Sequence, residues 1–336
     1  MKESMNACER FAAVIRGETP DRLPAIEWAP WWDKTITRWR GEGLPETVQT
    51  VEQIQGYFGL DRCCQTLLSW MTAETPLPPG HGLGIIKDEE DYERLLPTMY
   101  PEPYLPGEYI DWLKKTRERG DTLHFFTLDG FFWQPRTLLG IEPHLYSFYD
   151  QPDLYKRICA DNAAWVKRVA EYIGNTFRFD FMSFAEDMSY NNGPMISEEQ
   201  FDEFLLPYYK QVFPLFQAMG TPVFVDSDGD ITRAVDWYAR AGANGMFPLE
   251  RQAGVDVSLY IRKQPQMTFL GHFDKMCMKF GEEAMRAEFE RLLPSARQGK
   301  FIFSCDHQTP PDVSIENYRI YVRLLKEYAV KAAQKG

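Results

Sequence analysis

The stretch that most restricts what this chain can fold into is FVDSDGD, residues 224–230, inside TPVFVDSDGDITRAVDWYARAG. Val223, Phe224 and Val225 make a short apolar run of strand type, and Gly229 permits a turn among Asp226, Asp228 and Asp230. Ile231, Ala234, Val235, Tyr238 and Ala241 then recur at helical spacing. A strand thus delivers carboxylates into a turn that opens a helix. The arrangement returns three times: GANGMFPLE leaves Glu250 past an apolar run, MTFLGHFD leaves His272 and Asp274, and KFIFSCDH leaves Cys305, Asp306 and His307. Four successive strand ends bearing metal ligands or acid–base groups suit a fold that gathers strand ends, and a barrel of parallel strands gathers them on one face.

Upstream, the pattern predicts a helix over 2–17 that stops at Gly17, then a first strand LPAIEW that presents Glu27 and Trp28. Residues 29–60, with Trp31, Trp32 and Trp39, read as helices and loop laid over the barrel mouth. RCCQTLLSW (62–70) is the candidate second strand, and KDEEDYERLL a short exposed helix between Pro-rich stretches. HFFTLDG follows as strand three, ending at Asp129, and 152–173 as an amphipathic helix. FDFMSFAEDM is strand four, with Glu186 and Asp187 at its tip. Ser197 and Gln200 stand in capping-box spacing at the start of a helix reaching Met219, with an irregularity at Pro207 or Pro214. Helices at 282–297 and 315–333 complete an alternation of eight strands. The expectation is a single α/β domain over 1–336, a (β/α)8 TIM barrel with N-terminal helices and loop insertions over its mouth.

Charge narrows the partners. With 37 basic against 49 acidic side chains, for a net charge of -12, the chain is ill suited to nonspecific binding of nucleic acid or an anionic membrane. No run approaches the roughly 18 apolar residues of a membrane span, and the charged, amphipathic start does not read as a secretory signal. Six cysteines without CxxC spacing fit reduced thiols in a cytoplasm.

The opening helix followed by GETPDRLP, the segment FAEDMSYNNGPMIS, the run DSDGDI with AGANGMFPLE after it, and the tail SCDHQTPPDVSIENY together resemble the uroporphyrinogen decarboxylase superfamily. The resemblance implies a (β/α)8 barrel and one of two activities: cofactor-free decarboxylation of uroporphyrinogen, or zinc-dependent methyl transfer involving a corrinoid protein. Members that decarboxylate carry an arginine-rich segment after the first strand to hold the tetrapyrrole carboxylates. In IEWAPWWDKTITRWRGEG an acid and three tryptophans stand there instead, with Arg38 and Arg40 late. Carboxylates buried beside unpaired carboxylates are costly. In the methyltransferase branch a His-x-Cys pair and a later Cys hold zinc; the matching positions are Asp226, Asp228 and Cys305. Related aryl-ether demethylating enzymes use Glu and His ligands, which Glu250 and His272 resemble.

The resemblance therefore implies zinc held by a set drawn from Asp228, Glu250, His272 and Cys305, ligand types that zinc accepts. Taken singly, Glu250 also suits a surface ion pair, His272 a hydrogen bond in the mouth, Cys305 a packed thiol and Asp230 a helix cap. Glu186, Asp187 and His307 are the candidates for proton transfer or ligand orientation. Glu27, Trp28, Asp129, Tyr190 and Asp226 are the candidates for lining a substrate site, with an apolar slot formed by the aromatic clusters at 28–32 and 131–133. The expected activity moves a methyl group from a small donor, such as an aromatic methyl ether, to a cobalamin-type corrinoid carried by a separate protein. The alternatives are a metal-free decarboxylase of a porphyrinogen or other carboxylate, and a non-catalytic barrel that binds a tetrapyrrole or a corrinoid protein. The direction of transfer and the choice between monomer and homodimer stay open.

Overall fold

The protein was analysed as a computed structural model that describes residues 4–334. Strands β1 (Arg62–Leu67), β2 (Thr122–Asp129) and β3 (Phe181–Ala185) are followed by a small antiparallel hairpin, β4 (Ser189–Tyr190) and β5 (Gly193–Pro194). Strands β6 (Val223–Asp226), β7 (Gly245–Phe247), β8 (Thr268–Phe273) and β9 (Phe301–Cys305) continue the main sheet. Its seven strands are all parallel and stand in space in their chain order, β1-β2-β3-β6-β7-β8-β9, with helices in the crossovers. This is the α/β barrel architecture that the alternating pattern predicts.

The core explains why the strands read as continuous apolar runs. Phe125 stacks on Phe181 at 4.5 Å, and Phe224 and Phe247 join them as a layer of rings across the barrel. Phe11, from the helix Ala7–Arg16, reaches Phe181 at 5.1 Å and Phe224 at 6.4 Å, so this helix plugs the end of the barrel where the strands begin. Its start is fixed by a capping box between Asn6 and Glu9 and its end by Gly17 at φ 75°. The sequence places this helix at 2–17; residues 2 and 3 lie outside the described part of the chain.

One expectation is corrected. LPAIEW does not form a strand, although it is buried and occupies the gap between β9 and β1. Pro24 lacks a donor, and the Ala25 N–H is taken by the Asp61 carboxylate at 2.9 Å, leaving one backbone bond toward β1, from Asp61 N–H to Ala25 O at 3.0 Å. A side chain does the rest: the Gln55 amide donates to Cys63 O (2.9 Å) and Glu27 O (3.4 Å) and accepts the Cys63 N–H (3.0 Å). On the other flank the Trp28 indole donates to Cys305 O at 3.0 Å, and the Cys305 N–H donates to the Glu27 carboxylate at 3.3 Å. The helix predicted from Ser197 to Met219 forms with its capping box and with the expected irregularity at Pro207, which has no N–H to continue the ladder and divides it into Glu198–Phe204 and Leu206–Ala218. The tryptophan-rich segment is tied to the rim at the strand ends: Thr35, Arg38 and Trp39 donate to the carbonyls of Thr309, Pro311 and Val313 in the loop after β9. Trp31 and Trp39 pack with Phe58 and Tyr318 against the outer helix Ile315–Ala333.

Candidate metal and active site

The DSDGD turn is held from two sides. Tyr190 O accepts the Asp230 N–H at 2.9 Å, so the β4–β5 hairpin rests on the turn, and a Cβ on Gly229 (φ 79°) would lie 2.7 Å from Ser189 O. Asp228 is aimed at the mouth by its backbone: its N–H donates to Asp187 Oδ1 at 3.1 Å, while the Gly229 N–H donates to Glu250 Oε2 at 3.2 Å. His307, just past β9, brings Nε2 to 3.6 Å from Asp228 Oδ2. Asp228, Glu250 and His307 each place one ligand atom within 4.8 Å of the others, and Asp187, Asp226 and Asp228 do the same. Ligand atoms on one tetrahedral zinc, with bonds of about 2.0–2.2 Å, stand about 3.3–3.6 Å apart; the His307–Asp228 pair at 3.6 Å already has that spacing, and the other atoms of the first triad, within 4.8 Å, would need to close toward it.

Electrostatics agree with a cation at this point. Burial, then Asp187 and Glu250, push the Asp228 carboxyl up to about 8. Asp226 is driven well above its ordinary value by burial and the same neighbours, and Asp187 is raised chiefly by burial. Three raised carboxyls, Asp187, Asp226 and Asp228, packed beside Glu250 form a site whose repulsion a divalent ion would relieve. Burial and Lys275 hold the His307 imidazole below its ordinary value, which keeps it in the neutral form that ligates metal. Lys275 also stands 3.3 Å from Asp306 and 3.8 Å from Glu250, and Asp306, buried, accepts the N–H groups of Arg251 and Lys275. Asp306 was among the strand-end groups the sequence offers, but Lys275 was not; the available signal was its position directly after a strand end, in HFDK.

Two of the four expected ligands are not brought to this cluster. His272 is on β8, but its Nδ1–H donates to Leu249 O at 2.9 Å and its Nε2 faces the Val257 N–H at 3.4 Å, so both ring nitrogens serve loop backbone. Burial holds it down to about 4, in keeping with a neutral ring. Cys305 is a buried thiol pushed well above its ordinary value by burial and by Glu27, and it belongs to neither triad. His307, expected as an acid–base group, stands in the first triad where those two were expected. Asp230 accepts the Thr232 N–H at 2.9 Å, a local turn bond that leaves it outside the cluster.

Other expected site residues are occupied by structure. Glu186 accepts the N–H groups of Phe131 (2.8 Å), Phe132 (2.8 Å) and Trp133 (3.0 Å), pinning the turn after β2; burial pushes it up to about 8 against those three donors. Asp129 accepts the Trp70 indole N–H at 2.7 Å. Glu27 points away from the mouth toward the outer helix, where Tyr321 and the Ser304 hydroxyl donate to it, and burial pushes it up to about 7. Phe131 and Phe132 are core residues, so the slot expected at 131–133 does not form there. Trp28 remains at the mouth, 4.9 Å from Phe247 and edge-on to His307 at 6.2 Å, and Tyr190 lies half-exposed on the hairpin. A cavity of about 750 Å³ opens at the opposite end of the barrel, beside Phe11 and Asp180, remote from this chemistry.

No curated protein matches the sequence. Among solved structures, a methyltransferase from Methanosarcina mazei superposes with a TM-score of 0.66 at 14% identity, covering 97% of this chain and 99% of that one. A B12-independent methionine synthase from Shewanella sp. W3-18-1 aligns over 93% of this chain and 92% of its own at 12% identity, with a TM-score of 0.43. At such identities the first likeness speaks for the fold alone, and the second carries no argument. The sequence evidence is more direct, because residues 145–328, over half of the chain and including every carboxylate of the cluster, match the uroporphyrinogen decarboxylase (URO-D) family. The chain belongs to that family.

Proposed function

We propose that this protein is a zinc-dependent methyltransferase that moves a methyl group from a small donor to a corrinoid carried by a separate protein. The observation that carries the reading is the triad of Asp228, Glu250 and His307 at the strand ends, a mixed oxygen and nitrogen donor set whose ligand atoms lie within 4.8 Å of one another. Zinc held there would supply a Lewis acid for the heteroatom that bears the methyl group. Asp187, which fixes the Asp228 backbone, is the carboxyl placed to hold a proton for the leaving oxygen. Trp28 supplies an apolar wall beside His307. The methyltransferase of similar fold adds support at the level of architecture.

The decarboxylase alternative would draw its carboxylate clamp from the arginines that follow the first predicted strand. Arg38 is engaged with Glu42 and Pro311 O, and Arg40 with the carbonyls of Leu44, Pro45 and Val48, so neither is aimed at the mouth as a carboxylate clamp. Metal analysis of protein purified without chelator tests the proposal: about one zinc per chain is expected, with chelator-sensitive methylation of reduced cobalamin. Zinc far below that level with no gain on reconstitution, or coproporphyrinogen formed by chelated protein, would overturn it.

A further inference from the structure

The incomplete closure of the barrel leaves a cleft. Gln55 satisfies the outward-facing N–H and C=O of Cys63, but nothing continues that bridge along β1. Backbone direction alternates along a strand, so the N–H and C=O of Gln65 point to the same open edge as those of Cys63. Beside that edge lies a cavity of about 470 Å³, lined by Trp28, Gln65, Leu67, Tyr109 and Trp112 among others. Its size is that of a small-ligand site, for which about 300–1,000 Å³ is usual. Leu67 is 72% exposed there, an apolar side chain left open at a strand end of a packed barrel. Tyr109 and Trp112 stack at 5.4 Å and present flat apolar surface. Glu52, the charged residue of the lining, already faces Arg62 and Arg119 at 3.7 and 3.6 Å.

We propose that this cleft binds a neutral aromatic ring, and that the ring is that of the methyl donor. Trp28 makes the connection: the same indole that lines the cleft stands edge-on to His307 of the ligand triad. The stacked lining selects a flat ring over a puckered one. The open edge of Gln65 selects a ring carrying a hydroxyl, which both donates to the carbonyl and accepts from the N–H. The absence of an uncommitted charge in the lining selects a neutral ligand. The methyl-donor half of this inference rests on the methyltransferase reading; the ring-binding half does not.

The test titrates guaiacol, and methoxycyclohexane as a non-aromatic control, into zinc-loaded and chelator-treated protein by calorimetry, with Leu67→Arg and Val51→Arg as variants at exposed positions of the cleft. Guaiacol is expected to bind wild type with or without metal, methoxycyclohexane to bind far more weakly, and each variant to weaken guaiacol by at least about tenfold, because it sets a charge in an apolar cleft. No guaiacol binding to wild type, or equal binding to both variants, overturns the proposal. Ring binding lost in the variants but no methyl transfer in any condition would sink the methyltransferase reading and leave the cleft standing. Methyl transfer with a KM unchanged by both variants would do the reverse. Capture of an extended peptide along the Gln65 edge, with guaiacol excluded, would also overturn it.

Discussion

Replacing Glu27 by Gln isolates one buried carboxyl whose protonation the fold controls. The side chain is 2% exposed, and burial pushes it from 4.5 up to about 7. Between those values the folded chain keeps a proton that the unfolded chain releases. The folded state is therefore favoured at low pH, and the benefit is lost as pH rises through about 7. At about 1.36 kcal/mol per pH unit, the full effect is about 3 kcal/mol, most of which falls between about pH 5 and about pH 8. For 336 residues, an unfolding entropy of about 2.1 cal/mol/K each makes this about 4 °C in melting temperature. Glutamine preserves the shape and stays neutral throughout. Glu186 and Asp306, raised to about 8 and about 6, titrate in both proteins and cancel in the comparison. Scanning calorimetry from acid to neutral pH should show wild type losing about 4 °C relative to Glu27→Gln as pH rises. Parallel curves, or a relative gain by wild type, would refute the reasoning.

His307→Ala should lower zinc affinity by well over tenfold in a chelator competition, whereas His272→Ala should leave zinc bound and lower the melting temperature, because its ring bonds serve the loop backbone. Gly130→Ala places a Cβ 1.8 Å from Glu186 Oε1, so the carboxylate must abandon some of its three N–H partners; a loss of about 3–5 kcal/mol in denaturant titration is expected. Gln55→Ala removes the bridge on Cys63 and should cost about 2–4 kcal/mol by the same measurement. Asp230→Ala should retain zinc and cost about 1 kcal/mol.

Strand ends were legible because their chemistry is local: an apolar run, an acid and a helix-forming segment stand adjacent in DSDGDITRAV, and the site assembles where they meet. Which ligand turns inward was not legible. Gly271 at φ 115° and His272 at φ 65° rotate the end of β8 so that the imidazole reaches Leu249 O, and no spacing rule announces two left-handed residues in succession. Glu186 shows the same limit in another form. Its partners are three N–H groups more than fifty positions away, brought near by the pairing of β2 with β3. Which surface Trp31 and Trp39 bury was not legible either, because their partner Tyr318 lies at the far end of the chain.

A barrel whose seam is bridged at Cys63 by one amide side chain has a clasp at that point of its hoop. Opening an ordinary closed sheet requires several backbone rungs to break together, but the Cys63 N–H is freed by a single rotamer change of Gln55. Deuterium uptake should then draw a line along one side of the molecule: Cys63 and Gln65 exchanging in small local openings, with the amides of β2, β3 and β6 waiting for rupture of the sheet. Such a seam gives the enclosed mouth a lateral way to breathe that does not disturb the carboxylates on the far strands.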